Sequence, residues 1–339
     1  LFAPAIGSIW GPGRRGVLGL LLSVLILGTV SGCGLLGGSS DSSGQGSGPL
    51  ERSKIKVAVM PTIDLAPFHL AVKNGYFRAE GLEVELVNAP SGQVSLAKLL
   101  GGEVDIAYGS YSPFFLAKSK GAADIKFVSD ASSAGPKSTM VVAMPNSPVH
   151  TVRDMAGKRV AVTGQDTMSD TLTKSALKTN GVDFNSVHWV SLPFPDIAPA
   201  LARGDVDAGF LTEPFITQAA KSVGAIPVFD TATGPTRDFP TAGYGALGRF
   251  TSQNPKTVAA FQRVMRRATD EAADRTRIQP LMVEFAKVDQ DTAALTNLLT
   301  FQSKLDARRL QRVPDLLREF GAVPDRIDAA SMIAQSPTD

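Results

Sequence analysis

The residues of this chain that could do chemistry are hydroxyls, amides and carboxylates rather than metal ligands or activated nucleophiles. The three histidines, His69, His150 and His188, lie in separate segments, so no pair has metal-ligand spacing. Cys33 is the only cysteine, which excludes an intramolecular disulfide and a cysteine-rich metal site. Neither a phosphate-cradling Walker loop nor a Gly-x-Ser-x-Gly nucleophile turn occurs. His69 stands near the start of a predicted helix and could reach a cleft, whereas His188, beside Trp189, reads as a packing residue. What remains suits reversible recognition. Thr163-Gly164-Gln165-Asp166-Thr167-Met168-Ser169 strings donors and acceptors along one loop, able to wrap a small polar ligand. Tyr108, Tyr111, Phe194 and Tyr244 offer ring faces that would either stack on a ligand or fill a core. Gly243-Tyr244-Gly245-Ala246-Leu247-Gly248 matches the G-x-G-x-x-G dinucleotide pattern, but a helix is expected only after Asn254-Pro255. The strand–turn–helix context of a cofactor site is therefore missing, and no cofactor and no metal are expected.

Those residues need elements to position them, and the sequence supplies the same set twice. Lys56-Val57-Ala58-Val59 recurs as Arg159-Val160-Ala161-Val162, and Gly102-Glu103-Val104-Asp105-Ile106-Ala107-Tyr108 recurs as Gly204-Asp205-Val206-Asp207-Ala208-Gly209-Phe210. Each copy is followed by Pro-Phe, at Pro113-Phe114 and Pro214-Phe215. The offset is 103 residues from Lys56 to Arg159 and 102 from Gly102 to Gly204. In the first copy 55–60, 84–88 and 104–108 read as strands, with helices at 67–74 and 94–100. In the second, 159–163, 187–192 and 206–211 are the strands, with helices at 170–179 and 197–202. Strands alternating with helices predict an α/β chain of two lobes, each a mostly parallel sheet flanked by helices. Segments 138–144 and 243–250 are expected to cross between the lobes. Lobe one is then 54–141 plus 243–339, and lobe two, with the crossings, is 142–242. A mainly helical part from Pro255 onward should pack on lobe one.

Open parallel sheets bind ligands beyond the carboxyl ends of their strands, where helix N-termini present free N–H groups. That rule selects six loops: 61–67, 89–93 and 109–112 in lobe one, and 163–169, 193–196 and 212–214 in lobe two. The candidate ligand-binding residues are Thr62, Asp64, Ser91, Gly92, Gln93, Tyr108 and Ser110 from lobe one, and Gly164, Gln165, Thr167, Met168, Phe194 and Glu213 from lobe two. Tyr244 joins them from the second crossing. Asp105 and Asp207 begin strands at the opposite end and should bond local backbone N–H groups. None of the six loops contains Lys or Arg, while Asp64, Asp166, Asp196 and Glu213 are present. A ligand with a cationic, amine or N–H-donating end is expected, Glu213 being the foremost acceptor; Lys137 and Arg237 are the basic residues able to swing in.

The opening stretch reads as targeting. Arg14 and Arg15 precede an apolar run over 17–30 that is short for a bilayer span of about 20 residues, and small residues follow. Residues 1–32 are read as a signal peptide whose end, Val30-Ser31-Gly32-Cys33, resembles the lipobox of bacterial lipoproteins. The resemblance implies lipidation at Cys33 and attachment to the outer face of the cytoplasmic membrane. Residues 33–53 then form the acylated cysteine and a Gly/Ser-rich tether. Removing Arg14 and Arg15 leaves 32 basic against 32 acidic residues. So balanced a charge argues against nucleic acid as a partner.

The chain resembles the solute-binding proteins of the nitrate/sulfonate/taurine type, which are related to those for thiamine pyrimidine precursors. The likeness lies in Gly75-Tyr76-Phe77-Arg78-Ala79-Glu80-Gly81-Leu82-Glu83-Val84, the two Gly-Glu/Asp-Val-Asp strand starts, Met155-Ala156-Gly157-Lys158-Arg159-Val160-Ala161-Val162 and Glu213-Pro214-Phe215. It implies the type II periplasmic-binding-protein fold and a monomer that captures a small polar solute between closing lobes. Delivery would be to the permease subunits of an ABC importer, without catalysis. Presentation of ligand to a membrane sensor is the alternative. Pyrimidine-precursor synthases share the fold, but they carry a cysteine-rich motif that a chain with Cys33 alone lacks.

Overall fold

The computed structural model describes residues 49–335. The expected signal segment 1–32, the lipidation site Cys33 and most of the tether lie outside them. Within the range expected for the tether, residues 50 and 51 are already held by lobe one: Leu50 packs on its core, and the Glu51 carboxylate accepts from the Lys256 and Thr257 N–H groups, capping the start of a helix that opens with Pro255.

Strand β1 (Lys54–Val59) alternates exposed lysines with buried Ile55 and Val57 before becoming fully buried. It pairs in parallel with β2 (Glu83–Asn88) on one side and β3 (Ile106–Ser110) on the other. Next come β4 (Ile125–Ser133), β5 (Thr139–Ala143), β6 (Arg159–Val162), β7 (His188–Ser191), β8 (Ala208–Thr212) and β9 (Ile226–Asp230), and the chain closes with β10 (Pro240–Leu247) and β11 (Thr300–Phe301). Two mixed sheets result, ordered β11-β4-β10-β3-β1-β2 and β7-β6-β8-β5-β9. In each, three parallel strands from one copy of the duplication are followed by a strand running the other way. That strand, β10 in the first sheet and β5 in the second, directly follows a passage from the opposite lobe.

The helices are α1 (Ala66–Lys73), α2 (Tyr76–Ala79), α3 (Gly92–Leu100), α4 (Tyr111–Ser119), α5 (Met168–Thr179), α6 (Phe194–Arg203) and α7 (Phe215–Val223). The C-terminal part adds α8 (Gly248–Gln253), α9 (Pro255–Ala272), α10 (Arg275–Phe285), α11 (Gln290–Leu295) and α12 (Ala307–Glu319). The expected α/β fold of two lobes is present. The repeated aspartates act as clamps at the strand starts: Asp105 accepts from the Lys56 N–H at 2.8 Å and Asp207 from the Arg159 N–H at 2.8 Å, each also paired with an arginine.

The chain passes between lobes at 134–138 and 231–239, not at 138–144 and 243–250. Residues 139–143 are a strand of lobe two and 243–247 the body of β10 in lobe one. The glycines of the G-x-G-x-x-G match sit in β10 and at the start of α8 because side chains lie against them. A methyl at Gly245 would stand 2.8 Å from the Phe114 ring, and Gly243 and Gly248 are covered by Tyr111 and Asp124. His188 is exposed on edge strand β7 rather than packed. The C-terminal helices pack on lobe one, with Phe261 of α9 against Phe68 and Phe77. They also touch lobe two, through Lys178–Glu319 and Phe184 against Phe320, and through Lys221–Asp289 at 2.7 Å.

Candidate ligand-binding site

All six loops selected from the sequence meet in one cleft between the lobes. Lobe one contributes Met60, Thr62 and Asp64 after β1, Pro90 to Gln93 at the start of α3, and Tyr108 and Ser110 at the end of β3. Lobe two contributes Thr163, Thr167 and Met168 around the start of α5, Pro193 and Phe194 at the start of α6, and Thr212 at the end of β8. The convergence follows from topology, since parallel strands end on one edge and each helix begins there. The lobes are closed: a Cβ on Gly164 would come within 2.6 Å of the Gln93 amide nitrogen across the cleft. The space left between them is small, about 50 Å³ open to the centre of a water molecule.

Several lining groups are held by hydrogen bonds within the wall. Thr167 Oγ1 donates to the Gly164 carbonyl at 2.8 Å and lies 2.7 Å from Ser169 Oγ, which accepts from the Thr163 N–H. Ser91 caps α3, accepting from the Val94 N–H. On the floor, Ser132 donates to Asp64 Oδ1 at 2.5 Å and contacts Thr241 at 2.7 Å, while the Thr62 and Tyr108 hydroxyls are 3.2 Å apart. Burial raises the Asp64 carboxyl above the usual aspartate range, and the Ser132, Tyr108 and Thr62 hydroxyls pull it partly back.

Thr62, Asp64, Ser91, Gly92, Gln93, Tyr108, Ser110, Thr167, Met168 and Phe194 therefore line one space. Four candidates do not. Glu213 is fully buried behind the cleft wall, where it accepts from the Thr217 N–H and hydroxyl and, across the lobes, from the Asn297 N–H at 3.1 Å and side-chain amide at 3.3 Å. Burial pushes this carboxyl up too, against those four donors. Tyr244 is buried in the core of lobe one among Phe68, Phe261 and Tyr108, and its hydroxyl has no hydrogen-bond partner. Gly164 sits at the mouth under Gln93, and Gln165 faces an outer groove beside α4.

The acid-lined picture thus reduces to one carboxylate. Asp166 lies 3.8 Å from Lys174 in the outer groove, and Asp196 is exposed. Lys137 and Arg237 are exposed and do not line the cleft. His69 is stacked on Phe285 at 4.2 Å, and burial lowers its pKa to about 4. Tyr111 is also away from the cleft, donating to Asp130 at 2.7 Å. Sequence reasoning missed Ser138, Thr139 and Thr241 at the passages, and Leu299 from the segment before β11. The dense Ser/Thr content of 129–139, unusual for buried strands, was the available signal for the first two. Among the described residues no group of His, Cys, Asp and Glu could hold a metal ion.

The family model described as NMT1/THI5 like matches residues 62–276. The chain belongs to the NMT1/THI5-like family. A putative aliphatic sulfonates-binding protein of Escherichia coli (strain K12) is 26% identical over 256 residues, spanning 68% of this chain and 78% of that protein. A 4-amino-5-hydroxymethyl-2-methylpyrimidine phosphate synthase of Aspergillus parasiticus is 28% identical over 220 residues, 60% of this chain and 62% of the synthase. Among solved structures, the periplasmic nitrate-binding protein of Synechocystis PCC 6803 superposes with a TM-score of 0.72 at 15% identity, covering 83% of this chain and 84% of that one. This NMT1/THI5-like chain therefore has the fold of the periplasmic binding proteins.

Proposed function

We propose that the chain is the extracytoplasmic solute-binding component of an ABC importer. It captures a small polar organic solute between two lobes that close on it and hands the solute to permease subunits. The observation that carries this reading is the meeting of three strand-end loops from each lobe on one buried, hydroxyl-lined cleft. A ligand held by both lobes favours the closed form by its contacts to each, which is how binding is converted into a shape a permease can read. The likeness to binding proteins named for sulfonates and nitrate supports the role. The synthase relative shows sequence similarity without carrying the argument to catalysis: none of the described residues lining this cleft is His, Cys, Lys or Arg, so among them a general base or nucleophile would have to be Asp64 or a hydroxyl.

Saturating ligand at 100 times its dissociation constant should stabilise the fold by about 2.7 kcal/mol. A thermal-shift screen over sulfonates, nitrate, amines and pyrimidines measures that gain, and labels placed on α3 and α6 should approach each other or stay together on binding. A chain stabilised by none of these solutes would contradict the capture role. Lipid attachment at Cys33 to the outer face of the cytoplasmic membrane belongs to the same proposal. Cys33→Ser should yield a folded protein that partitions into the aqueous phase of a detergent extraction and takes up no labelled fatty acid; lipid retained on the variant removes the anchor.

A further inference from the structure

We infer that Phe194 is the door of a second opening into the cleft, through which a small solute passes while the lobes stay closed. The inference rests on the solute-capture reading and adds a route to it. The mouth described above lies where Gln93 of lobe one meets Gly164 of lobe two, on the side of the molecule where α5 begins. Helix α6 lies on the other face of the second sheet. The units β6-α5-β7 and β7-α6-β8 step across that sheet in opposite directions, and because such crossovers are right-handed their helices fall on opposite faces. Phe194 opens α6, so the wall it forms is at the far end of the cleft from Gln93.

That far wall is thin. Outside it runs a groove of about 630 Å³ between α6 and α7 on one side and residues 286–292 on the other. Met60, Thr62 and Pro193 face the cleft, while Pro61 and Pro195 in the same two loops face the groove. The partition is therefore one residue thick and built from strand-end loops of both lobes. Among the described residues Phe194 alone lines both spaces. A proline on either side, Pro193 and Pro195, stiffens its backbone, which leaves the side-chain torsions as the part that can move. The ring stacks on Phe215, 5.3 Å between centroids and 19° from parallel, and Phe215 itself lines the groove. A change of rotamer would carry the Phe194 ring outward over this apolar floor, exchanging one apolar surface for another and joining cleft to groove. The ring and the aromatic residues it leans on, Phe210 and Phe215, all belong to lobe two. Its swing therefore needs no separation of the lobes, unlike the contact between Gln93 and Gly164, which spans them.

The reach of a thiol reagent into the cleft reads this door without any solute. With Cys33→Ser removing the native thiol, Thr212→Cys places one in the cleft wall, at a position 4% exposed. The probe is the small neutral reagent 2-hydroxyethyl methanethiosulfonate, and the urea-unfolded chain gives the rate of the unprotected thiol. The folded parent should react far more slowly than that. Phe194→Ala should speed labelling at least about tenfold, by raising the fraction of time the wall stands open, with an unchanged small-angle scattering profile. Phe194→Leu should speed it at least about threefold on the same ground, and it carries the test if circular dichroism shows the alanine variant unfolded. A parent labelled at the unfolded rate overturns the inference, since nothing is then gated. Labelling at the parent rate in a folded Phe194 variant overturns it as well. So does faster labelling with a more open scattering profile, which would make Phe194 a packing contact between lobes. All three results leave solute capture to the thermal-shift screen, whose failure would remove the solute while leaving the labelling rates as measured.

Discussion

Glu213 joins the two lobes, and its substitution should weaken capture of every ligand by the same factor. Two of its four hydrogen bonds stay within lobe two, to Thr217, and two reach Asn297 in lobe one. Only the second pair depends on closure. A hydrogen bond to a charged group contributes about 1.5–3 kcal/mol; if closure is required for tight binding, losing that much weakens affinity about ten- to a hundredfold. Asn297→Asp, which sets a second carboxylate against Glu213, should produce a loss of this size. Glu213→Gln alone should be milder, because its amide still offers one acceptor. Combined with Asn297→Asp it should recover much of the affinity, since the new amide can donate to the new carboxylate. Calorimetry with the best ligand of the screen, and with a second unrelated one, gives the four corners of the cycle. Additive losses in the double variant, or a change in preference between the two ligands, would refute the latch and return Glu213 to the binding surface.

Gly164→Ala pushes a methyl against the end of the flexible Gln93 side chain; stability should change by less than about 1 kcal/mol, while stopped-flow traces show faster ligand release. Gly245→Ala meets the face of Phe114, locked in the core at 2.8–3.2 Å, and urea titration should show a loss of about 1–3 kcal/mol. Burial raises Asp130 to about 6 despite Tyr111 and Arg309, with Asp238 adding repulsion. Its neutral form is therefore favoured in the folded state, and its contribution to stability, complete below the unfolded value near 3.9, is lost as pH rises to about 6. Asp130→Asn should flatten the slope of unfolding free energy between pH 4 and 6.5 by an amount on the order of 1–3 kcal/mol; an unchanged slope would assign the titration elsewhere.

The duplication made most of the fold readable, because a β-α-β unit written twice fixes strand order, helix placement and the edge where loops gather. The cleft followed from that edge alone. Where reading failed, the cause was contact between residues far apart in sequence. Strands β4 and β9, and the exchange that sends β10 and β5 into the opposite sheets, depend on antiparallel pairings that no local period announces. Asp64 and Glu213 both sit in strand-end loops, and only Asn297, from a segment 84 positions away, distinguishes a group facing the cleft from one buried behind it. Tyr108 and Tyr244 lie opposite each other in register, yet Phe68 and Phe261 close over Tyr244 and leave Tyr108 at the cleft. Leu299 had no signal at all, because it reaches the wall through the C-terminal segment before β11.

The strand exchange also sets an order of assembly. Lobe two draws its whole sheet from one unbroken stretch, 139–230, so it can finish folding before the rest of the chain has emerged. Lobe one has a gap at its centre, between β3 and β4, until β10 arrives after that stretch is complete. A nascent chain halted before 240 would therefore carry a finished lobe two beside a half-sheet with two open edges, the kind of surface that chaperones hold and proteases remove.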